Sequence, residues 1–378
     1  MTRDRRRSRR GGGRPVRQRT QRGASHVGER HEVEVGPVAH GGHCVARVDG
    51  RAVFVRHALP GERVVVEVTE GSEGDRFWRA DAVEVLDASP DRVEPPCPYA
   101  GPGLCGGCDL QHVALDRQRA LKADVVAEQL RRFAGLDVDV TVEAVPGDEG
   151  GLHWRTRQRY VDLPGGARGM RVHRSHDVVE VEECLLEARD LDDTSTHVVR
   201  GERFEVPEDG FWQVHPGAPE VLVDAVLAAL DPQPGERVLD LYAGVGLFAR
   251  FLRAAVGEQG HVLAVEGDRA AVAACRAALP DVEAVAGDVG AVLAEREPDP
   301  VDLVVLDPPR AGARRPVVEQ VAVRRPRAVA YVACDPAALA RDLSYFAGHG
   351  YRLTSLRAFD LFPMTHHVEC VALLTATG

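Results

Sequence analysis

The sequence predicts a multidomain α/β protein. It has a small OB-like β-barrel, a central α+β domain with a cysteine cluster, and a C-terminal doubly wound, Rossmann-like domain. Three observations lead there. Valines alternate with polar residues in short runs over 29–88, three cysteines crowd into 97–108, and apolar runs alternate with amphipathic helices from 206 onward. A length of 378 residues suits two or three such units.

The chain opens with a basic stretch. Residues 1–25 hold ten Arg and one Asp, a charge of +9, so the rest carries −20 of the net −11. Such an arm either contacts phosphates nonspecifically or is a solubilising tail, and Gly11, Gly12 and Gly13 suit disorder over 1–28. Lys122 is the single lysine among 47 basic residues, so arginine abundance alone does not signal nucleic-acid binding. No apolar run approaches the ~20 residues needed to span a bilayer. The expectation is a cytoplasmic, membrane-free monomer.

Over 29–88, breaks at Gly36, Gly41–Gly42, Gly50 and Pro60–Gly61 divide the valine-rich chain into four or five short strands, as in an OB-type barrel. Pro90, Pro95, Pro96 and Pro98 mark a boundary. The central segment, 89–205, then begins with the cysteines. Residues 115–136 keep a helical period and stop at Gly135. If HWRTRQRY is extended, Arg155, Arg157 and Arg159 share one face, suited to phosphates or merely to solvent. From 206 to 378 the alternation of strands and helices implies a mostly parallel doubly wound sheet.

In that last domain DLYAGVGLFA follows a strand and opens a helix. Gly244 and Gly246 let the turn tighten and let a ligand approach the backbone. Glu266, 20 residues past Gly246, ends the second strand, where a carboxylate accepts from ribose hydroxyls. Asp288 ends the third, where adenine edges lie. The turn is similar to the cofactor loop of class I methyltransferases. LVVLDPPR ends the fourth strand with Asp307. Arg310 stands where amino-methylating enzymes carry an aromatic residue, which argues against that chemistry.

Cys334 leaves the fifth strand in AYVACDP. Asp335 can cap the next helix, with Pro336 in its first turn. A helix N-terminus favours thiolate, so an activated nucleophile is expected, whereas Cys44, Cys275 and Cys370 read as small core residues. Glu369 is a lone charge in the apolar strand HVECVALL, so burial should raise its pKa. The pattern C-x7-C-G-G-C sets Cys97, Cys105 and Cys108 together, with Cys184 as a fourth thiolate. Three local ligands and one remote favour a [4Fe–4S] cluster over zinc, which usually takes two close pairs. A metal-free redox switch is the third reading.

CGGCDLQH, FWQVHP, LDLYAGVG, LDPPRAG, YVACDP and FDLFPMTHHVE together resemble the bacterial RNA (uracil-5-)-methyltransferases that carry a TRAM domain and an iron–sulfur cluster. The resemblance spans 97–370, with the β-barrel at the TRAM position. It implies S-adenosylmethionine as methyl donor. It implies Cys334 as nucleophile on uracil carbon 6 and Glu369 as the base that removes the carbon-5 proton. Gln213, Tyr242, Glu266 and Asp307, with Asp288, match cofactor positions, and the four cysteines match cluster ligands. His215, Leu247, Ala333 and Asp335 depart from the family's usual Asn, Asn, Ser and Asn. The implied substrate is RNA, with 23S rRNA favoured because many tRNA enzymes of this type lack both barrel and cluster. The alternatives are a tRNA T-loop 5-methyluridine methyltransferase and a non-catalytic RNA-binding iron–sulfur protein. A radical methylthiotransferase would need C-x3-C-x2-C, which is absent.

Overall fold

Alternating valines can close a small barrel only if one face of every strand points inward, and the first segment does this. In the computed structural model, which describes residues 23–189, 195–296 and 299–377, the segment forms β1 (Arg30–Glu34), β2 (Val38–Ala39), β3 (His43–Val48), β4 (Arg51–Arg56), β5 (Arg63–Glu70) and β6 (Phe77–Asp87). The order is β1-β5-β6-β4-β3-β2. This is six strands rather than four or five, because the two-residue β2 adds an edge strand too short to leave a periodic signal. Three register shifts between β5 and β6 bend the pair, and Val53, Val55, Val64, Val66 and Trp78 fill the interior. Residues 23–28, expected in the tail, instead run along the barrel: His26 stacks near Trp78 at 4.3 Å and the Gly28 amide donates to the Val68 carbonyl. The rest of the basic arm lies outside the described residues.

The helix after the cysteines is α1 (Leu115–Gln129), followed by a π-turn (Leu130–Ala134) that ends at Gly135 with φ 68°. Next come β7 (Val142–Ala144), the three-stranded sheet of β8 (Val161–Asp162), β9 (Arg168–Arg171) and β10 (Val178–Glu180), and the hairpin of β11 (Thr196–Val199) and β12 (Glu202–Glu205). Arg155, Arg157 and Arg159 lie outside any strand. Arg157 donates to the carbonyls of Gly210 and Glu208, and Arg155 to that of Arg157, so no row of free guanidiniums forms.

The C-terminal region contains α2 (Ala218–Leu230), β13 (Arg237–Leu241), α3 (Leu247–Val256), β14 (His261–Glu266), α4 (Arg269–Ala278), β15 (Glu283–Ala286), α5 (Val289–Glu295), β16 (Leu303–Leu306), α6 (Arg314–Ala322), β17 (Ala328–Ala333), α7 (Pro336–Ala347), β18 (Tyr351–Asp360) and β19 (Glu369–Ala376). The sheet order is β15-β14-β13-β16-β17-β19-β18-β7. β13 to β17 run parallel and β19 is antiparallel to both neighbours. Successive strand residues serve opposite cores: Val238 and Val262 pack with α2 and α3, Leu239 and Leu263 with α6 and α7. That is why the strands read as continuous apolar runs. α1 supplies Val126 to the second core, and β7 pairs with β18, so both elements complete this sheet although they precede it in sequence by many residues.

Candidate active site

The sheet reverses its winding between β13 and β16, and ligands bind in the crevice at such a point. The turn after β13 is built to be tight. Tyr242, Gly244 and Gly246 have φ of 65°, 55° and 91°. A Cβ on Gly246 would come within 2.8 Å of Cys275 Sγ, so this glycine serves close packing against α4. Buried Asp240 holds the turn to α3 by accepting from the Ala249 amide at 2.7 Å. Glu266 accepts from the Gly244 amide at 2.9 Å and the Asp268 amide at 2.7 Å. Asp288 caps α5, accepting from Ala291 at 3.0 Å.

A cavity of about 870 Å³ opens above this edge. Gln213, Tyr242, Gly244, Glu266, Asp288, Asp307, Cys334 and Glu369 all line it; Gly246 lies behind the wall. The sequence-derived positions, taken from six separate strand ends and one loop, thus share one chamber. Its shape suits a nucleoside-sized ligand beside a second planar group.

Strand register brings the two candidate reacting groups together. β17 and β19 pair Ala333 with Cys370, and continuing that register sets Cys334 opposite Glu369; both line the cavity. Asp335 caps α7, its Oδ1 accepting from the Ala338 amide at 2.8 Å. The helix end expected to favour thiolate is opposed by the thiol's surroundings. Burial, reinforced by the Glu369 and Asp307 carboxyls, pushes the Cys334 thiol up to about 12, against the weaker opposite pull of Arg310. Burial also raises Glu369 well above the usual carboxylate range, with Asp307 adding to it, and lifts Asp307 to about 7.

Comparison with known proteins decides the family. The TRAM domain matches residues 24–83, "Methyltransferase small domain" matches 220–324 and "tRNA (Uracil-5-)-methyltransferase" matches 299–377. An uncharacterized RNA methyltransferase of Streptomyces avermitilis is 48% identical, over 92% of this chain and 98% of its own. The 23S rRNA (uracil(1939)-C(5))-methyltransferase RlmD of Pseudomonas putida is 30% identical, over 93% and 94%. The chain belongs to the TRAM-domain RNA (uracil-5-)-methyltransferase family. The fold agrees: the Pyrococcus abyssi tRNA (uracil-54, C5)-methyltransferase, solved with S-adenosyl-L-homocysteine, superposes with a TM-score of 0.66 over 90% of this chain and 99% of its own, at 21% identity. None of the described helices of this RNA methyltransferase is long and apolar enough to cross a membrane.

The contacts made by several residues at the methyltransferase cavity were not readable from the sequence. Asp109, just after Cys108, accepts from His366 Nδ1 at 2.6 Å and from the His366 amide at 3.2 Å, and sits 3.5 Å from Arg56 of the barrel. The hydrogen bonds from His366 and the Arg56 charge hold Asp109 well below the usual carboxylate range despite its burial. Arg310 bonds His367 Nε2 at 3.1 Å. Trp154 stacks on His215, and exposed Phe211 stands at the cavity rim. The motifs that contain these residues do not name their partners.

The four cysteines also converge. Cys97, Cys105, Cys108 and Cys184 ring one small pocket. Gln111 donates to Cys108 Sγ at 3.2 Å and the Gly107 amide to Cys105 Sγ at 3.4 Å. Among the described residues no group of three or more His, Cys, Asp or Glu is arranged to hold a metal ion.

Proposed function

We propose that this methyltransferase methylates carbon 5 of a uridine in 23S rRNA, with Cys334 as nucleophile and Glu369 as base. The observation that carries the reading is the facing of Cys334 and Glu369 across β17 and β19, inside the cavity that the cofactor loops line. Uracil carbon 5 is too weak a nucleophile to take a methyl group unaided. The Cys334 thiolate adds to carbon 6, and the electron pair moves to carbon 5 and its conjugated carbonyl. S-adenosylmethionine supplies the methyl group when bound. Glu369 then takes the carbon-5 proton, the pair re-forms the double bond, and the carbon–sulfur bond breaks to return thiolate. The carboxylates of Glu266 and Asp288 suit ribose and adenine, and Asp307 stands where it can offset a sulfonium charge.

RNA is the substrate class of the family; ribosomal RNA is favoured because RlmD relatives match nearly end to end. The reaction then belongs in the cytoplasm. The test is mass mapping of 5-methyluridine in ribosomal and transfer RNA from a deletion strain. Loss confined to one 23S position supports the reading, and loss at the tRNA T-loop overturns its choice of RNA.

The cysteine pocket fits a [4Fe–4S] cluster by its donor chemistry. Four cysteines line it, the donor number such a cluster takes, and Gln111 and Gly107 donate to two of the sulfurs. Bound there, the cluster would cross-link the loop at 97–108 to Cys184.

A further inference from the structure

The loop between β2 and β3 leaves the barrel's own core and lies on the reaction centre. His40 Nε2 is 3.3 Å from Asp335 Oδ2, one residue from the nucleophile. Gly42, at φ +75°, packs so closely that a Cβ there would sit 2.9 Å from that of His366 and 3.1 Å from that of Asp109. One barrel loop thus touches both segments that carry the reacting groups, Cys334 and Glu369. Asp335 uses one oxygen to cap α7 and gives the other to His40. Its charge opposes ionisation of Cys334, as Glu369 and Asp307 do, with Arg310 opposing them all.

We propose that His40 is a positioning residue for methyl transfer: protonated, it neutralises Asp335 and so lets the neighbouring Cys334 ionise, which makes the docked barrel part of the nucleophile's environment. The groups that face His40 are Asp335 and, from α1, Glu128. Asp335 raises the imidazole above its ordinary value against the opposite effect of burial, and Glu128 adds to the rise. His40 in turn lowers Asp335. The imidazolium therefore persists at higher pH than that of a free histidine, and its loss uncovers the carboxylate beside the thiol. Solvent reaches both side chains, at 37% and 25% exposure, so the effect is modest.

The consequence for turnover rests on Cys334 being the nucleophile, but the pairing is testable without RNA. Alkylation of Cys334 by iodoacetamide in the full-length protein, followed on the Cys334 peptide by mass spectrometry across pH, reads its thiolate fraction. His40→Ala is expected to slow alkylation at pH 7 by about two- to fivefold, and its rate should converge on that of the wild type at pH values where the wild-type imidazole has lost its proton. His40→Gln, which keeps a donor without the charge, should do the same with less risk to docking. Asp335→Asn, an equally good helix cap, should react at least as fast as wild type, and His40→Ala should then change nothing. An unchanged rate in His40→Ala, or the same slowing in the Asp335→Asn background, overturns the proposal. If alkylation behaves as expected while turnover ignores all four variants, the pairing stands and Cys334's catalytic role falls.

Discussion

At the residue scale, burial opposes charge at the candidate reaction centre. It pushes the Cys334 thiol up to about 12, raises Glu369 well above the usual carboxylate range and lifts Asp307 to about 7. A positively charged sulfonium entering this site reverses that balance by favouring ionised carboxyls. Affinity for S-adenosylmethionine should therefore be about three- to tenfold higher at pH 8 than at pH 6, since Asp307 is charged above about 7 and neutral below it. S-adenosylhomocysteine lacks the charge, so calorimetry should show a much flatter profile for it; parallel profiles would refute the electrostatic account. Cys334→Ala should abolish methyl transfer while sparing cofactor binding, measured by the same titration. Glu369→Gln should accumulate an RNA–protein adduct on denaturing gels, because methylation proceeds but elimination stalls. Free product at the normal rate would assign the proton to another group. That Cys334 and Glu369 would sit at the cavity was legible in the sequence, because each lies at a strand end in an unusual local setting. The raised thiol pKa was not, because its causes lie on other strands. Spacing revealed the helix end behind Cys334 but not the carboxyls in front of it.

At the scale of elements, α7 does more than present its N-terminus to Cys334. Fully buried Asp342 accepts from the Tyr331 hydroxyl at 2.7 Å and the Arg314 amide at 3.0 Å, and its other oxygen takes Arg341 at 2.8 Å. Arg341 also donates to the Ala311 carbonyl at 2.8 Å. The helix thereby fastens the loop that carries Asp307 and Arg310, and Gly312 is required because a Cβ would collide with Asp342. Asp342→Ala strips three buried or half-buried donors of their acceptor. It should cost about 2–4 kcal/mol by denaturant unfolding. It should also lower kcat, because the loop bearing Asp307 and Arg310 would lose its anchor. A variant with unchanged stability would show that the loop is held elsewhere. The elements themselves were largely readable, since buried parallel strands and amphipathic helices leave strong periodicities. β7 was not: three residues pairing with a strand more than two hundred positions away leave no local pattern. Nor was the π-turn at Leu130–Ala134, whose extra residue per turn does not alter the apolar spacing enough to see.

At the scale of the molecule, the segments interlock at the cavity. Lys122 of α1 bonds Asp360 of β18 at 2.5 Å and the Phe362 carbonyl at 3.0 Å, deep in the interior. Arg56 ties the barrel to Asp109, and Asp109 ties the cysteine loop to His366. Such pairings join residues far apart in sequence, so composition and spacing could propose the three parts but not their contact. The cysteine pocket shares Gly107 and Arg155 with the catalytic cavity, so whatever holds the four sulfurs also braces one catalytic wall. Loss of the proposed cluster should therefore reach that wall. Anaerobically purified protein should carry about four irons per chain. Cys108→Ser should lose them and lower the Tm, because the loop at 97–108 has few apolar side chains to hold it otherwise. Turnover at saturating RNA should survive in the folded fraction, since neither Cys334 nor Glu369 touches the pocket, whereas KM for RNA should rise as the shared wall loosens. Zinc in place of iron would refute the cluster assignment. A kcat that collapses while fold and KM hold would give the cluster a chemical part in the reaction, which two groups facing across β17 and β19 do not require.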